Sequence, residues 1–548
     1  MRDEEFPVLI AGGSLVGLST AVLLGWHGVR SLVVERHSGT AIHPRAAYFN
    51  QRTFEVYRSV GLEPEIVRRA HEEFLQDGAI MAVESLAGRE LAYFLPSLNE
   101  GVRDVSPSMR LYCTQNVLEP ILRRRAEELG AQTVFGSEVA SFDADGGGVT
   151  AVLRNLEDGR ERSVRARYLI GADGNRSPVR RRLGIEMRGR GTFSNSATIY
   201  FKADIRPALR DRPLSVIYVN NPSLKGFMRF EAHGRSGFLA VNVAYAEDGS
   251  VLDVEADADE ARCVQLVRDA IGVPGLDVEI VAVQPWKAAA EVAERFQDGP
   301  VFLAGDAAHV MPPTGGFGGN TGVHDAHNLA WKLAYVLRGV AGPDLLGTYD
   351  SERRPVGAFT VEQAYTRYVK RTDPSLGDHD IQPQEDDLRI ELGGRYRSAA
   401  ICPVEQNEGG VHAHPRESRA MPGTRAPHLV LKRGGAEIST LDLFGRNFVL
   451  LAGREGESWC RAARAVAQEF GLEVDAFRFA GGDGIEDPAG TFAGTYGIEE
   501  SGAVLVRPDG FVAWRSRTEN EAPERALAYS LKHLLCRPPE PSRRSEAA

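Results

Sequence analysis

Residues 8–19 read VLIAGGSLVGLS, an apolar run that meets a glycine pair and continues as a second apolar stretch. No other segment limits the fold as strongly. Residues 8–11 have the unbroken apolar character of a strand buried on both faces. The spacing predicts a helix over Leu15–Trp26, stopped by Gly28, and SLVVE at 31–35 predicts a second strand. A strand, glycine turn, helix and parallel strand together present backbone amides and a positive helix end to a pyrophosphate. The dinucleotide fingerprint G-x-G-x-x-G keeps Gly12 and Gly17 here but has Ser14 at its middle position. Serine retains the amide donor and adds only a small Cβ, and its hydroxyl can donate to a phosphate or cap the helix. Glu35 ends the second strand, where a carboxylate accepts hydrogen bonds from ribose hydroxyls. The alternative for Glu35 is a structural pair with Arg36.

Two later segments have the same strand-to-turn character. YLIGADGNRSPVRRRLGI, residues 168–185, runs from a strand into Asp173-Gly174 and a basic helix start with Arg176 and Arg180. Taken alone it is a turn with a solvated basic face. VFLAGDAAHVMPPTGGFGGNTGVHDAHNLAWKLA, residues 301–334, ends a strand at Asp306 and carries glycines at 315, 316, 318, 319 and 322. Such glycines let backbone pass close to a flat ligand. The helix predicted from about 322 to 337 would offer its positive end to negative charge, as on a reduced ring.

Between residues 192 and 294 the pattern changes to the alternating strands ATIYFKADI, LSVIYVNN, GFMRFEA and GFLAVNVAYA. These predict an antiparallel sheet inserted between two parts of the nucleotide unit. Residues 371–425, rich in Pro, Gly and acids, read as a linker with some local structure. NFVLLAG, WCRAARAVAQEFG and AVLVRPDGFVAWR then predict a third unit, and the tail 538–548 reads as disordered.

Composition removes several classes of function. There are 64 Lys and Arg against 75 Asp and Glu, a net charge of −11, so no broad basic footprint for nucleic acid exists. Five scattered cysteines without a C-x-x-C argue against a zinc or thiol-redox centre and fit a reducing compartment. MRDEEF has no signal-peptide character and no run of 18 apolar residues occurs. The expectation is a cytoplasmic protein, monomer or homodimer, with no metal, membrane or nucleic-acid partner.

The three glycine segments together resemble the FAD-dependent aromatic hydroxylases, single-component flavoprotein monooxygenases of the p-hydroxybenzoate hydroxylase type. The match includes Gly305-Asp306, the P-x-G-G-x-G-x-N run from Pro313 to Asn320, Arg45 in HPRAA, Gln115 before a helix and TYDSERRPVG ending at Gly357. Phe317 departs from the family, many of whose members have glutamine there. MPGTRAPH, DLFGRNFVLLAG and VLVRPDGFVAWR resemble the thioredoxin-like C-terminal domain of phenol and polyketide-tailoring hydroxylases, without the cysteine pair. That domain is expected to be structural.

The resemblance implies an α/β fold: a Rossmann-like FAD-binding domain of glutathione-reductase type, an inserted antiparallel substrate sheet and a thioredoxin-like domain. The implied boundaries are 1–190 and 296–370 for FAD, 191–295 for substrate, 371–425 for the linker and 426–537 for the C-terminal unit. The implied cofactor residues are Gly12, Ser14, Leu15, Val16, Gly17, Glu35, Arg36, Arg45, Gln115, Val139, Asp173, Gly305, Asp306, Pro313, Gly318, Gly319 and Asn320, with Arg45 and Pro313 facing the flavin. Candidate substrate-wall residues are Tyr218, Met228, Phe230 and Asn242; alternation alone leaves open which face is inside. His309 lies near the flavin motif but reads better as a structural histidine, and no acid–base residue is assigned.

The implied reaction consumes NADPH or NADH and O2, forms a C4a-hydroperoxyflavin and hydroxylates a bulky, polyketide-like phenolic ring in a biosynthetic pathway. Baeyer–Villiger or oxidative decarboxylation chemistry on the same scaffold stays open, as does a flavin-binding module without turnover. The W-x-W-x-I-P signature of flavin halogenases is absent.

Overall fold

The chain opens as its first residues dictate, with strand β1 (Glu4–Ala11), helix α1 (Leu15–Trp26) and strand β2 (Ser31–Glu35). The computed structural model describes residues 4–42, 46–246, 248–252, 259–403, 410–479 and 485–537. Arg45 and the tail 538–548 therefore lie outside the described residues. Helix α2 (Gln51–Ser59) leads to the hairpin β3 (Ala79–Val83) and β4 (Glu90–Leu95). Helix α3 (Gln115–Glu128), β5 (Gln132–Phe135) and β6 (Glu161–Gly171) follow. Strands β5, β2, β1, β6 and β12 (Val301–Leu303) lie side by side and parallel, sharing one core with helices such as α1 and with the antiparallel strand pair at 137–155. Their continuous apolar runs fit this position, because both faces are covered.

The second sheet is antiparallel for most of its width. It contains β7 (Met187–Lys202), β8 (Leu214–Asn220), β9 (Leu224–Phe230), β10 (Ser236–Tyr245) and β11 (Glu279–Ala293). It reaches beyond the 191–295 span on both sides. β3 pairs in parallel with β8, β4 forms the edge, and His309–Val310 pairs with β11. Helix α4 (Glu260–Ile271) covers one face, burying Cys263, Leu266, Val267, Ala270 and Ile271 against alternate residues of the strands. Its start is fixed by Asp259, which accepts from the Arg262 amide, and its end by Gly272 in the left-handed region at φ 79°.

After β12 come the long helices α5 (Phe317–Leu337) and α6 (Thr348–Arg371). The stretch read as a linker is partly built structure. It contains the short helix α7 (Asp387–Leu392), and its Tyr396 is buried and stacked on Phe511 at 4.0 Å. The C-terminal unit runs β13 (Phe448–Ala452), α8 (Glu457–Phe470), β14 (Val474–Arg478), β15 (Ala503–Val506), β16 (Val512–Ser516) and α9 (Pro523–Leu534). β13 and β14 are parallel while β15 and β16 run antiparallel, a β-α-β half joined to a β-β-α half. Trp331 and Tyr335 of α5 pack into its core beside Phe448. Among the described residues, no helix is long and apolar enough to cross a membrane.

His27, His324, His327 and His412 are held neutral, first by burial and then by nearby arginines. The His27 and His412 imidazoles are pushed down to about 3. Below pH 6.5 the unfolded chain takes up protons that the folded chain refuses. Their contribution is therefore present above 6.5 and lost as pH falls, at about 1.4 kcal/mol per pH unit for each histidine. Urea-denaturation midpoints should fall steeply between pH 6.5 and 4.5; a flat profile over that interval would contradict this account.

Candidate active site

In the first sheet Ala11 sits beside Gly171, and Gly171 beside Leu303. The 12–17 loop, the Asp173 turn and the Gly305-Asp306 turn therefore emerge together at the carboxyl edge of three adjacent parallel strands, where such sheets bind ligands. Gly12 has φ +104°, and a methyl there would strike the Ala172 carbonyl oxygen. A methyl on Gly17 would strike the Gly12 carbonyl oxygen. Residue 14 is different: it is extended, at φ −97° and ψ −163°, and its side chain is exposed. The missing glycine therefore costs the turn nothing.

The Ser14 hydroxyl does not cap α1. It donates to Glu119, which also accepts from the Leu15 amide (3.0 Å), the Ala41 amide (2.7 Å) and the Gln115 side chain (3.0 Å). Glu119 is fully buried and organises the whole entrance of α1, a role that the sequence reading missed. The available signal was its place one turn after Gln115 on α3. Gln115 in turn accepts from the Ala46 amide at 2.8 Å.

Glu35 is buried, taking the Gly13 amide at 2.7 Å on one oxygen and the His37 amide at 2.9 Å on the other. Arg36 points to solvent and forms no pair with it. Val139 is half-buried against the flank of the main core. One Asp173 oxygen accepts from the Val179 amide at 3.0 Å; the other is buried without a partner, and burial raises the carboxyl pKa. Arg180 donates to the Ala307 carbonyl at 2.9 Å and so ties the second segment to the third.

Asp306 is exposed at this edge. Behind it, fully buried Asp325 accepts from the Gly305 amide (3.1 Å) and Arg353 Nε (2.8 Å) and bonds His309 Nε2 at 2.7 Å. His309 is thus a scaffold residue, as its sequence context implied. The Arg353 of the TYDSERRPVG segment holds the Gly305-Asp306 turn from beneath.

Helix α5 begins five residues before its expected start and has no side-chain cap, so its first-turn amides are free for a ligand. Only at Gly318 of this run would an added methyl meet nothing closer than an ordinary van der Waals contact, Met311 at 3.7 Å. Gly319 instead serves packing, since a methyl there would lie 2.9 Å from Leu15 Cδ2 of α1. Phe317 is buried with Ala364 and Ile390, pointing away from the edge. Asn320 spends its side chain on the Asn50 amide (2.9 Å), Thr53 Oγ1 (2.7 Å), the Gly316 carbonyl (2.7 Å) and the Tyr48 carbonyl (3.3 Å). Exposed Pro313 stands at the head of this turn.

The second sheet turns its other face toward this edge. Rings of Phe94, Tyr218, Phe227, Phe238 and Tyr200 form a row across five strands, with successive centroids 5.7, 6.1, 6.0 and 6.2 Å apart. Tyr218 belongs to this row, and Asn242 lies on the same face beside the Tyr368 phenol of α6. Met228 and Phe230 do not. Met228 is fully buried in the core beneath α4, and Phe230 packs against the same cluster. The two-residue period of a strand puts them opposite Phe227 and Arg229. Arg229, also missed, is buried between the rings of Tyr112 (3.6 Å) and Phe74 (4.0 Å) and donates to the Ala47 carbonyl at 2.7 Å. Burial lowers its pKa to about 10, so it stays charged at neutral pH.

These features fit FAD: close backbone approach that only glycine permits, a ribose-side carboxylate, free helix-start amides and an aromatic wall opposite. Residues 5–364 match the FAD binding domain family, and residues 419–538 match the aromatic-ring hydroxylase C-terminal family. The chain is 52% identical over 539 residues to a 4-methyl-5-nitrocatechol 5-monooxygenase of Burkholderia sp, covering 98% of each. It is 40% identical to the tetracenomycin A2 monooxygenase-dioxygenase of Streptomyces glaucescens, again covering 98% of each. A crystal structure of aklavinone-11 hydroxylase in ternary complex with FAD and aklavinone superposes with a TM-score of 0.91 at 38% identity, covering 98% of this chain and 100% of that one. Fold, edge geometry and relatives agree, and the chain belongs to the FAD-dependent aromatic-ring hydroxylases, as a flavoprotein monooxygenase.

Proposed function

We propose that the protein inserts oxygen into a phenolic aromatic substrate held between the glycine edge and the aromatic face of the second sheet. The observation that carries this reading is the row of five rings on the face of the second sheet opposite α4, together with the uncapped start of α5. FAD, reduced by NADPH or NADH, supplies the activated oxygen. The protein's own residues do the rest. Glu35 receives the adenosine ribose, and the amides of residues 14–17 with the positive end of α1 receive the pyrophosphate. Asp306 binds the ribityl chain. The α5 amides at Gly318 and Gly319 stabilise negative charge on the reduced ring. Buried Asn320 anchors the start of α5 and buried Asp325 the Gly305-Asp306 turn, and the aromatic face keeps water from the reacting edge.

A row this long suits a polycyclic ring system, and the tetracenomycin and aklavinone enzymes act on such molecules by name. A single-ring phenol is the second reading, favoured by the 52% identity to a nitrocatechol monooxygenase. FAD-loaded protein should consume NADPH or NADH faster when a phenol is added, with a product heavier by one oxygen. A panel from one to four rings separates the readings. Oxidation that no phenol stimulates would defeat both.

A further inference from the structure

A cavity of about 210 Å³ opens where the end of α6 meets the β8–β9 hairpin and edge strand β4. Leu91, Phe94 and Tyr218 line it together with Lys225, Lys370 and Arg371. Leu91 and Phe94 are 39% and 40% exposed, so apolar surface is left open inside a concave site. Phe94 and Tyr218 meet edge to face at 5.7 Å, and they are the outer end of the ring row described above.

The three cations share this rim on a protein of net charge −11. Among the described residues no carboxylate forms an ion pair with any of them. Two of them lie against rings: Arg371 is 5.6 Å from Phe94 and Lys225 5.8 Å from Tyr245. Lys370 and Arg371 occupy the last turn of α6, where cations offset the helix dipole. That does not account for Lys225, which comes from a different element. Three positive charges over low-dielectric walls focus a field that draws in anions. Aromatic walls beside them select a flat ligand.

Helix α6 spans the distance between the α5 entry loop and this cavity. Thr314 of the α5 entry loop donates to the Ala364 carbonyl of α6 at 2.7 Å. Arg371 follows seven residues later, roughly 10 Å along the helix. We infer that this cavity is the anion-recognising mouth of the substrate site, and that the substrate enters as an aromatic anion, a phenolate or carboxylate, gripped by Lys225, Lys370 and Arg371. The inference rests on the aromatic face being the substrate wall.

Calorimetry on the FAD-loaded protein at pH 8 tests it, with 4-nitrocatechol as the anionic probe and 4-isopropylcatechol as a neutral probe of similar shape. The wild-type protein should bind the anion at least tenfold more tightly, and added NaCl should erode that preference. The triple variant Lys225→Gln, Lys370→Gln, Arg371→Gln should lose most of the preference, and Lys225→Gln alone part of it, with flavin absorbance at 450 nm reporting an intact fold. A preference that is absent in the wild type, or unchanged in the triple variant, overturns the inference. If neither probe binds while a neutral polycyclic phenol stimulates NADPH or NADH oxidation, the anion site fails and the hydroxylase reading stands. If no phenol stimulates oxidation, the hydroxylase reading fails as well.

Discussion

Gly17→Ala should yield protein that purifies without flavin. The added methyl would overlap the Gly12 carbonyl oxygen, and neither partner can yield. Gly12 is pinned at φ +104° against the Ala172 carbonyl, and its amide donates to the Val34 carbonyl at 2.8 Å. Residue 17 lies in the first turn of α1, whose entrance is fixed by Glu119. Overpacking of this kind costs about 1–3 kcal/mol or more in a packed interior. Here that cost falls on the amides proposed above to receive the pyrophosphate, so FAD affinity should drop by roughly 100-fold. Ser14→Ala is the control, because it keeps the extended backbone and its amide and removes one donor to Glu119, which retains the Leu15 and Ala41 amides and the Gln115 side chain; its flavin content should match wild type within about threefold on the same scale. The ratio of absorbance at 450 and 280 nm after purification, followed by FAD titration of stripped protein, measures both. Full flavin occupancy in Gly17→Ala would show that the loop does not bind the pyrophosphate as described.

Glu352→Gln should be the most damaging single change away from the cofactor. The Glu352 carboxylate is fully buried and takes Lys332 Nζ (2.8 Å), Arg507 Nη1 and Nη2 (2.7 and 2.9 Å), Asn328 Nδ2 (2.6 Å) and Ser398 Oγ (2.6 Å). Burial opposes its ionisation, but Arg507 and Lys332 outweigh that and hold the carboxyl well below the usual range. Arg507 comes from the turn between β15 and β16, where Asp509 also pairs with it and accepts from Trp331 Nε1 at 3.2 Å. The carboxylate thus locks the C-terminal unit onto α5 and α6.

A neutral amide at 352 leaves buried Lys332 without a counter-charge and Arg507 with Asp509 alone. Breaking a buried pair in this way costs about 3–5 kcal/mol. The urea midpoint should fall accordingly, and limited proteolysis should begin within residues 371–425. Adding Lys332→Met should recover part of the loss, because Lys332 is the cation left without a carboxylate partner, whereas Arg507 keeps Asp509. A Glu352→Gln midpoint within experimental error of wild type would mean that the C-terminal unit docks by apolar contact alone.

Legibility in the sequence followed how local each constraint is. Helix α1 and strand β2 occupy their expected residues because apolar runs and Gly28 fix them within a single β-α-β unit. Helix α5 starts earlier than its glycine-rich sequence suggests. Glycine disfavours helix locally, but Gly319 and Gly322 let α5 lie against Leu15 and Val16 of α1, and that packing outweighs propensity. The hairpin β3–β4 was read as part of the first unit because strand pairing across more than 100 residues leaves no local mark. Met228 and Phe230 were misplaced for a related reason: alternation gives two faces but does not say which one a helix will cover.

By itself the sequence determined the chemistry-bearing edge. Glycines at 12 and 17, a carboxylate at 35, the Asp173 turn and the Gly305–Asn320 run each carry a local backbone requirement that few residues meet. Tertiary structure decided what those motifs stand on and what faces them. Glu119, Asp325, Arg229 and Glu352 act only through partners distant in the chain, and the aromatic row exists only once five strands are in register. A motif records the geometry of a few consecutive residues, whereas a wall, a buried ion network and a cationic mouth are made when distant segments share one low-dielectric space.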